Sequence, residues 1–211
     1  MALSDRVGLP PNFLRLKDVR LGPSRSLTAL SQHDPAVRAT AKRLASWGYV
    51  EYHTVDGEAK LIHRTRIPSH WDASLRGEVE WHEGTICYKL TITSEVPTKL
   101  AVVFSSIHPE YNSPSLWRYF APSYRHLNGL TAGTTAVLRI GDFGGVVGSF
   151  YMNTNDEPDN MNAVSRLVEA VRLRYGLGRG DVCLVGSSKG GTAALAHGLA
   201  MAVPFVSVDP I

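Results

Sequence analysis

A motif between Val182 and Leu195 constrains the fold of this chain more than any other segment. An apolar run leads into Gly186-Ser-Ser188-Lys-Gly190, and a stretch of small residues follows. This is Gly-x-Ser-x-Gly between a predicted strand and a predicted helix, which is the context of a nucleophile elbow. Ser188 has to occupy a strained turn there, and the flanking glycines let strand and helix approach closely without Cβ clashes. The motif therefore predicts a strand–turn–helix unit with the Ser188 hydroxyl at the helix N-terminus.

Strands and helices alternate along the chain from residue 77 onward. A hairpin is predicted first, and the nearly all-apolar run 99–104 is typical of a strand buried on both faces. Strands that alternate with helices imply parallel crossovers. The predicted class is therefore α/β, a mostly parallel sheet with helices on both faces that ends at a sixth strand. The predicted strands are 79–81, 86–93, 99–104, 136–140, 181–185 and 203–208, and the predicted helices are 159–175 and 190–201.

The residues before this region predict a small α+β extension. Asp34-Pro35 supplies a helix cap followed by proline at the first helical position, and Gly48 is a stop signal. A hairpin follows around the turn Asp56-Gly57, with strands at 49–55 and 60–65. Residues 1–33 indicate a surface arm with little regular structure, and residues 66–76 indicate a linker. We therefore divide the chain into an extension, 1–70, and a core, 71–211.

Composition narrows the classes of partner and cofactor. The 211 residues carry 22 basic and 19 acidic side chains, and a net charge of +3 does not indicate a nucleic-acid partner. No apolar run reaches the roughly 18 residues of a membrane helix, and the start resembles no signal peptide. Cys87 and Cys183 lie in apolar segments, as expected for buried free thiols in a reducing compartment. A cytoplasmic protein without a transmembrane segment is the expectation.

No metal or cofactor is predicted. His53 and His63 would lie close together across the first hairpin, but no third ligand is evident. The glycine-rich run 141–148 lacks Gly-x-Gly-x-x-Gly spacing. A phosphate loop does not fit 186–191 either, because Lys189 precedes the glycine pair.

The chemistry predicted from the motif is nucleophilic catalysis by Ser188. The backbone N–H of Lys189 would be one oxyanion donor, where the helix N-terminus favours a developing negative charge. The second donor is expected from the loop after the third core strand, from Ser106 or Ile107.

A serine nucleophile also needs an acid and a base that follow it in the chain. Asp209, at the end of the last predicted strand, is the candidate acid, and the alternative is a turn residue before Pro210. His197 lies nine residues after Ser188 in the same predicted helix, about 13 Å along its axis, so it cannot serve as the base. We expect the base histidine beyond residue 211, because the final apolar strand would otherwise be an uncovered sheet edge. On this expectation the chain is the front part of a longer protein and is inactive alone.

Further side chains are candidates for substrate binding. Ser105 and His108 follow the same strand as the predicted oxyanion loop, and Asp142 and Gly144 lie in the glycine-rich run. Asp142 could orient substrate hydroxyls or stabilise a turn. The Lys189 side chain could bind an anionic substrate group or be a solvated surface lysine. The aromatic stretch 117–120 could pack as a lid or stack on a sugar.

The order of several segments resembles the capsular polysaccharide biosynthesis family labelled XcbB/CpsF, within the α/β-hydrolase superfamily. The resemblance covers about 45–211 and is carried by the segments 102–107, 117–120, 138–154, 186–195 and 207–211. It implies an α/β-hydrolase-like fold, Ser188 as nucleophile, and acyl transfer or ester cleavage in making or modifying a cell-surface glycan. Acyl-ester or glycan substrates and other capsule biosynthesis proteins are the partners it implies. The alternative is a non-catalytic, hydrolase-like module that binds a glycan or organises capsule assembly.

Overall fold

A computed structural model describes residues 11–22, 25–130 and 133–211. Its strands are β1 (Phe13–Lys17), β2 (Tyr49–Val55), β3 (Glu58–His63), β4 (Glu80–His82), β5 (Ile86–Thr91), β6 (Lys99–Phe104), β7 (Thr135–Ile140), β8 (Val182–Ser187) and β9 (Phe205–Val208). Its α-helices are α1 (Leu27–His33), α2 (Pro35–Ser46), α3 (Asp72–Leu75), α4 (Leu127–Leu130), α5 (Asn160–Arg174) and α6 (Lys189–Met201). Short 3-10 turns occupy Arg64–Arg66, Leu116–Tyr119 and Arg179–Asp181.

The main sheet confirms the predicted α/β class. Its order, within the described ranges, is β4-β5-β7-β6-β8-β9. Strands β6 to β9 are parallel, whereas β4 and β5 form an antiparallel hairpin and β5 pairs antiparallel with β7. The chain moves from β6 to β7 in one direction and then returns past β6 to β8. The boundary between β6 and β8 is therefore the point at which the strand order reverses.

The core lies chiefly between this sheet and two helices on one of its faces. Leu100, Val102 and Phe104 of β6 point into a cluster with the apolar sides of α5 and α6. The intervening residues Ala101 and Val103 face the other way, where the short α4 and the loop around it lie. Successive side chains of β6 thus pack alternately on the two faces of the sheet, as expected for a strand that is buried on both faces.

The extension is an antiparallel sheet, β1-β3-β2, backed by α1 and α2. The side chain of Asp34 accepts from the N–H groups of Ala36 and Val37, so it caps α2 as predicted. Asp56 and Gly57 have φ values of 47° and 75°, which gives β2 and β3 the two-residue turn typical of a hairpin.

The prediction of an arm without regular structure at 1–33 is wrong for most of the described part of that segment. Strand β1 pairs with β3, and α1 begins at the cap Ser26. Buried Glu51 of β2 accepts from the N–H of Leu27, which fixes the start of α1 to the sheet. Residues 1–10 and 23–24, which belong to the same predicted arm, lie outside the described residues.

Residues 66–76 are a packed junction, so the prediction of a linker is also wrong. Ile67 and Trp71 are buried in one cluster with Ile62 of the extension and Phe143 of the core. Close by, Arg64 forms ion pairs with Asp156 and Glu157 of the loop that precedes α5. The division at residue 70 stays a prediction.

Within the described ranges, no helix has the length and apolarity needed to cross a membrane. Cys87 and Cys183 are both free thiols. Cys87 is buried, as predicted, whereas Cys183 is partly exposed on the sheet face away from α5 and α6.

Candidate active site

The turn between β8 and α6 has the backbone of a nucleophile elbow. Ser188 has φ 53° and ψ −125°, a conformation that L-residues rarely adopt. Such a backbone costs about 1–3 kcal/mol and persists only where surrounding contacts impose it. One of these contacts is the hydrogen bond from the Ser188 N–H to the Val208 carbonyl, at 3.0 Å.

The neighbouring glycines are required by close backbone contacts. A Cβ atom on Gly186 would overlap the carbonyl of Gly190, and one on Gly190 would overlap the carbonyl of Phe104 in β6. A Cβ on Gly191 would lie 2.7 Å from the Val208 oxygen. The motif therefore fixes both the strand–helix approach and the packing of α6 against β6 and β9.

Ser188 lies at the boundary between β6 and β8, where the strand order reverses. The two strand ends are joined there, because the Ser106 hydroxyl donates to the Ser187 carbonyl at 3.0 Å and contacts the Ser187 hydroxyl at 2.9 Å. In open α/β sheets, ligands bind outside the carboxyl ends of the strands at this kind of crevice. The reversal of strand order therefore indicates the same candidate site as the Gly-x-Ser-x-Gly motif, and it does so independently of that motif.

The side chain of Lys189 is fully buried, so neither sequence interpretation of it is right. Its ammonium lies 3.1 Å from Asp142 Oδ2 and 3.4 Å from the Val147 carbonyl, and the two side chains of the pair are 0% and 1% exposed. It is therefore not a solvated lysine, and it faces the loop 142–151 and not the open end of the elbow. Its backbone N–H starts α6 and has no intrahelical partner, as in the first turn of any helix, and its role as an oxyanion donor stays a prediction.

Asp142 is committed to the structure of its own loop. Its Oδ1 accepts from the N–H and hydroxyl of Ser149, at 2.9 and 2.7 Å, and its Oδ2 accepts from the Phe150 N–H at 2.9 Å. A Cβ on Gly148 would lie 2.5 Å from Asp142 Oδ2. These contacts leave no side for a substrate hydroxyl, so the turn-stabilising role holds and the substrate-binding role does not. Gly144 is likewise packed within the loop, because a Cβ there would lie 2.5 Å from Ser149 Cβ.

In the loop after β6, some polar groups are used in internal hydrogen bonds, whereas others could still contact a substrate. The Ser105 side chain is 2% exposed, and its hydroxyl donates to the carbonyls of Ala121 and Ile140, so it is not positioned to bind substrate. The Ser106 N–H donates to the Ser123 hydroxyl at 3.2 Å. His108 is partly exposed, and its Nδ1 accepts from the Glu110 N–H. The oxyanion role of Ser106 or Ile107 and the substrate role of His108 stay predictions.

Asp209, the predicted acid, lies at the surface, whereas His197, which the sequence excludes as the base, lies in the core. Asp209 is exposed, with φ 48°, and follows Val208, whose carbonyl receives the Ser188 N–H. Its role as the acid stays a prediction. His197 is fully buried, stacks on Phe104 and contacts the Tyr151 carbonyl through Nε2 at 3.2 Å. Burial lowers the pKa of His197, as expected for a neutral core histidine. Within the described ranges no side chain hydrogen-bonds to Ser188 Oγ, and the base histidine stays a prediction.

The aromatic stretch 117–120 is mostly packing. Tyr119 and Phe120 are buried, whereas Trp117 is 39% exposed and lies edge-on to Trp71 with ring centroids 4.8 Å apart. Sugar stacking therefore stays a prediction for Trp117 alone. The described residues contain no group of three or more His, Cys, Asp or Glu side chains arranged for a metal ion.

Comparison with known proteins finds partial likenesses of fold. No protein-family model and no curated protein matches the chain. Among solved structures, the capsule O-acetyltransferase of Neisseria meningitidis serogroup A aligns with 18% identity and a TM-score of 0.42, over 57% of this chain and 46% of that one. A hyperthermophilic esterase from the archaeon Pyrobaculum calidifontis aligns with 13% identity and a TM-score of 0.42, over 63% of this chain and 42% of the esterase. An alpha-beta serine hydrolase homologue from Coxiella burnetii aligns with 12% identity and a TM-score of 0.37, over 54% and 51%. The chain thus spans about half or less of the length of each of these proteins.

Proposed function

We propose that the protein is a serine-dependent esterase or acyltransferase that acts on a glycan-linked or small acyl ester. The observation that carries the proposal is the backbone of Ser188, held at φ 53° between glycines that admit no side chain, at the crevice where the strand order reverses. The segments that resemble the capsular polysaccharide family support a cytoplasmic role in cell-surface polysaccharide biosynthesis, beside other capsule biosynthesis proteins.

The proposed chemistry assigns a role to each of the groups around the turn. Ser188 Oγ forms a bond to the acyl carbon and gives its proton to a general base, while the carbonyl electrons move onto oxygen. The Lys189 N–H and the N–H of Ser106 or Ile107 stabilise that oxyanion, supported by the N-terminal end of α6. Collapse breaks the ester C–O bond, and the leaving oxygen takes up the proton. Water or an acceptor hydroxyl then releases the acyl group from Ser188.

Activity-based labelling tests the nucleophile. A fluorophosphonate probe should label the full-length protein at one serine, and Ser188→Ala should abolish the labelling without changing the circular dichroism spectrum. Ser187→Ala is the matched control, because Ser187 is the adjacent hydroxyl and contacts Ser106. It should retain labelling. If Ser188→Ala is labelled as well as wild type, the esterase proposal is wrong, and a non-catalytic glycan-binding module becomes the better interpretation.

A further inference from the structure

Tyr151 is a buried side chain whose hydroxyl joins the ends of two neighbouring strands. It is 1% exposed, and its hydroxyl accepts from the Ser105 N–H at 2.6 Å and donates to the Ile140 carbonyl at 2.9 Å. Ser105 directly follows β6 and Ile140 ends β7. Burial raises the pKa of Tyr151 well above its ordinary value, so the hydroxyl stays protonated and both hydrogen bonds persist through the physiological pH range.

The hydrogen bond to Ser105 sets the direction of the chain immediately before a predicted oxyanion donor. The next backbone N–H belongs to Ser106, one peptide further on. Because Ser105 is buried, its N–H has no access to solvent, and without Tyr151 it would be an orphaned donor. The Ser105 N–H could then reach another acceptor only if the adjoining peptides rotated. That rotation would also redirect the Ser106 N–H.

The loop that carries Tyr151 is fastened to the other predicted donor as well. Asp142, at the start of the loop, pairs with the side chain of Lys189, and the same carboxylate accepts from the N–H of Phe150. Phe150 and Tyr151 both have left-handed backbones, with φ values of 60° and 61°. Two consecutive non-glycine residues in this region are costly and need contacts that impose them. The loop therefore holds Lys189 at one end and Ser105 at the other.

We infer that Tyr151 is a positioning residue that aligns the Ser106 N–H with the Lys189 N–H, so that both donors converge on one carbonyl oxygen. The inference rests on the proposed function. The Ser106 N–H donates to the Ser123 hydroxyl at 3.2 Å. On this inference, a substrate carbonyl oxygen would replace that hydroxyl as the acceptor. Oxyanion stabilisation depends on donors that are aligned before the reaction, so a small misalignment lowers the rate without preventing binding.

Tyr151→Phe tests this role, because it removes the hydroxyl and keeps the ring that packs on Phe104. The second-order rate constant for fluorophosphonate labelling of Ser188 should fall about tenfold, short of the roughly hundredfold or greater loss expected when an oxyanion donor is deleted. With a chromogenic ester, kcat should fall and KM should stay unchanged. Tyr49→Phe is the matched control: Tyr49 is also buried and its hydroxyl also donates to a backbone carbonyl, that of Pro11 in the extension. It should label at the wild-type rate.

The outcomes separate this inference from the proposed function. If wild-type labelling does not depend on Ser188, the proposed function fails. If it does depend on Ser188 and Tyr151→Phe labels at the rate of Tyr49→Phe, Tyr151 is only a structural residue and the inference fails.

A second pair of variants decides the question if Tyr151→Phe does not fold. His197 Nε2 donates to the Tyr151 carbonyl. His197→Leu removes that donor and should slow labelling, whereas His197→Gln can restore a donor at the same place and should recover most of the rate. Equal rates for these two variants would contradict the positioning role.

Discussion

The buried ion pair between Asp142 and Lys189 should contribute strongly to stability. Its side chains are 1% and 0% exposed, and removal of one partner from such a pair costs roughly 3–5 kcal/mol. Lys189→Met leaves the Asp142 carboxylate with three donors from Ser149 and Phe150, so we expect about 3 kcal/mol, near the low end. Asp142→Asn turns an NH₂ group toward the Phe150 N–H and the ammonium, so we expect about 4–5 kcal/mol.

These losses can be measured by chemical and thermal denaturation. For a chain of this length each kcal/mol lowers Tm by about 2–4 °C, so Asp142→Asn should lower it by roughly 10 °C or more. The double variant should lose less than the sum of the single losses, with a coupling energy of about 1 kcal/mol or more, because it leaves no unpaired ammonium.

A surface pair provides the control. Arg76 and Glu78 contact each other at 2.6 Å, but their side chains are 60% and 41% exposed. Glu78→Gln should therefore leave Tm unchanged. If Asp142→Asn is as mild as Glu78→Gln, or if the two single losses at the buried pair simply add, the argument from burial is wrong.

Two other predictions concern the elbow glycine and the thiols. Gly186→Ala should prevent folding or lower Tm severely, because its Cβ would overlap the Gly190 carbonyl, whereas Gly180→Ala, with no atom within 4 Å of the added carbon, should change stability by less than about 0.5 kcal/mol. Denaturation of the two variants side by side checks this, and a stable Gly186→Ala protein would contradict the close approach of β8 and α6. In the folded protein a disulfide reagent should modify Cys183 before Cys87, because burial raises the pKa of both thiols and Cys87 is fully buried. Cys183→Ser should remove the fast phase of the reaction, and a fast phase that survives this change would mean that Cys87 is accessible.

Local signals predicted the elements that depend on local physics. Three such signals act on residues that are close in sequence: the cap Asp34, the turn Asp56-Gly57 and the small residues around Ser188. The structure has α2, the β2–β3 hairpin and the elbow at those places. Helical spacing of apolar residues likewise located α5, and a continuous apolar run located strand β6, each within a residue or two.

The elements that were mispredicted depend on partners far along the chain. Strand β1 is short, and among the described residues it pairs only with β3, more than 40 residues later. Helix α1 is tied to Glu51 by the N–H of Leu27. A short segment rich in arginine and proline has no strong propensity of its own, so tertiary contacts decide its structure.

The roles of the loop residues could not be predicted for a related reason. A lysine next to a predicted nucleophile, and an aspartate among glycines 47 positions earlier, each suggest a polar group near substrate when considered alone. Only the crossover from β7 through α5 to β8 brings them together under Gly148, where no side chain separates them.

Nothing in the sequence pattern marks Tyr151, because its loop has no periodicity of apolar residues and its hydroxyl bonds to backbone atoms. Yet this loop contacts the segments of both predicted oxyanion donors. The residue after the strained Ser188 is tied to this loop, because the Lys189 ammonium pairs with the Asp142 carboxylate. If Tyr151 positions the Ser106 N–H as we infer, the alignment of the candidate site depends on residues 142–151 as well as on the motif that contains the serine.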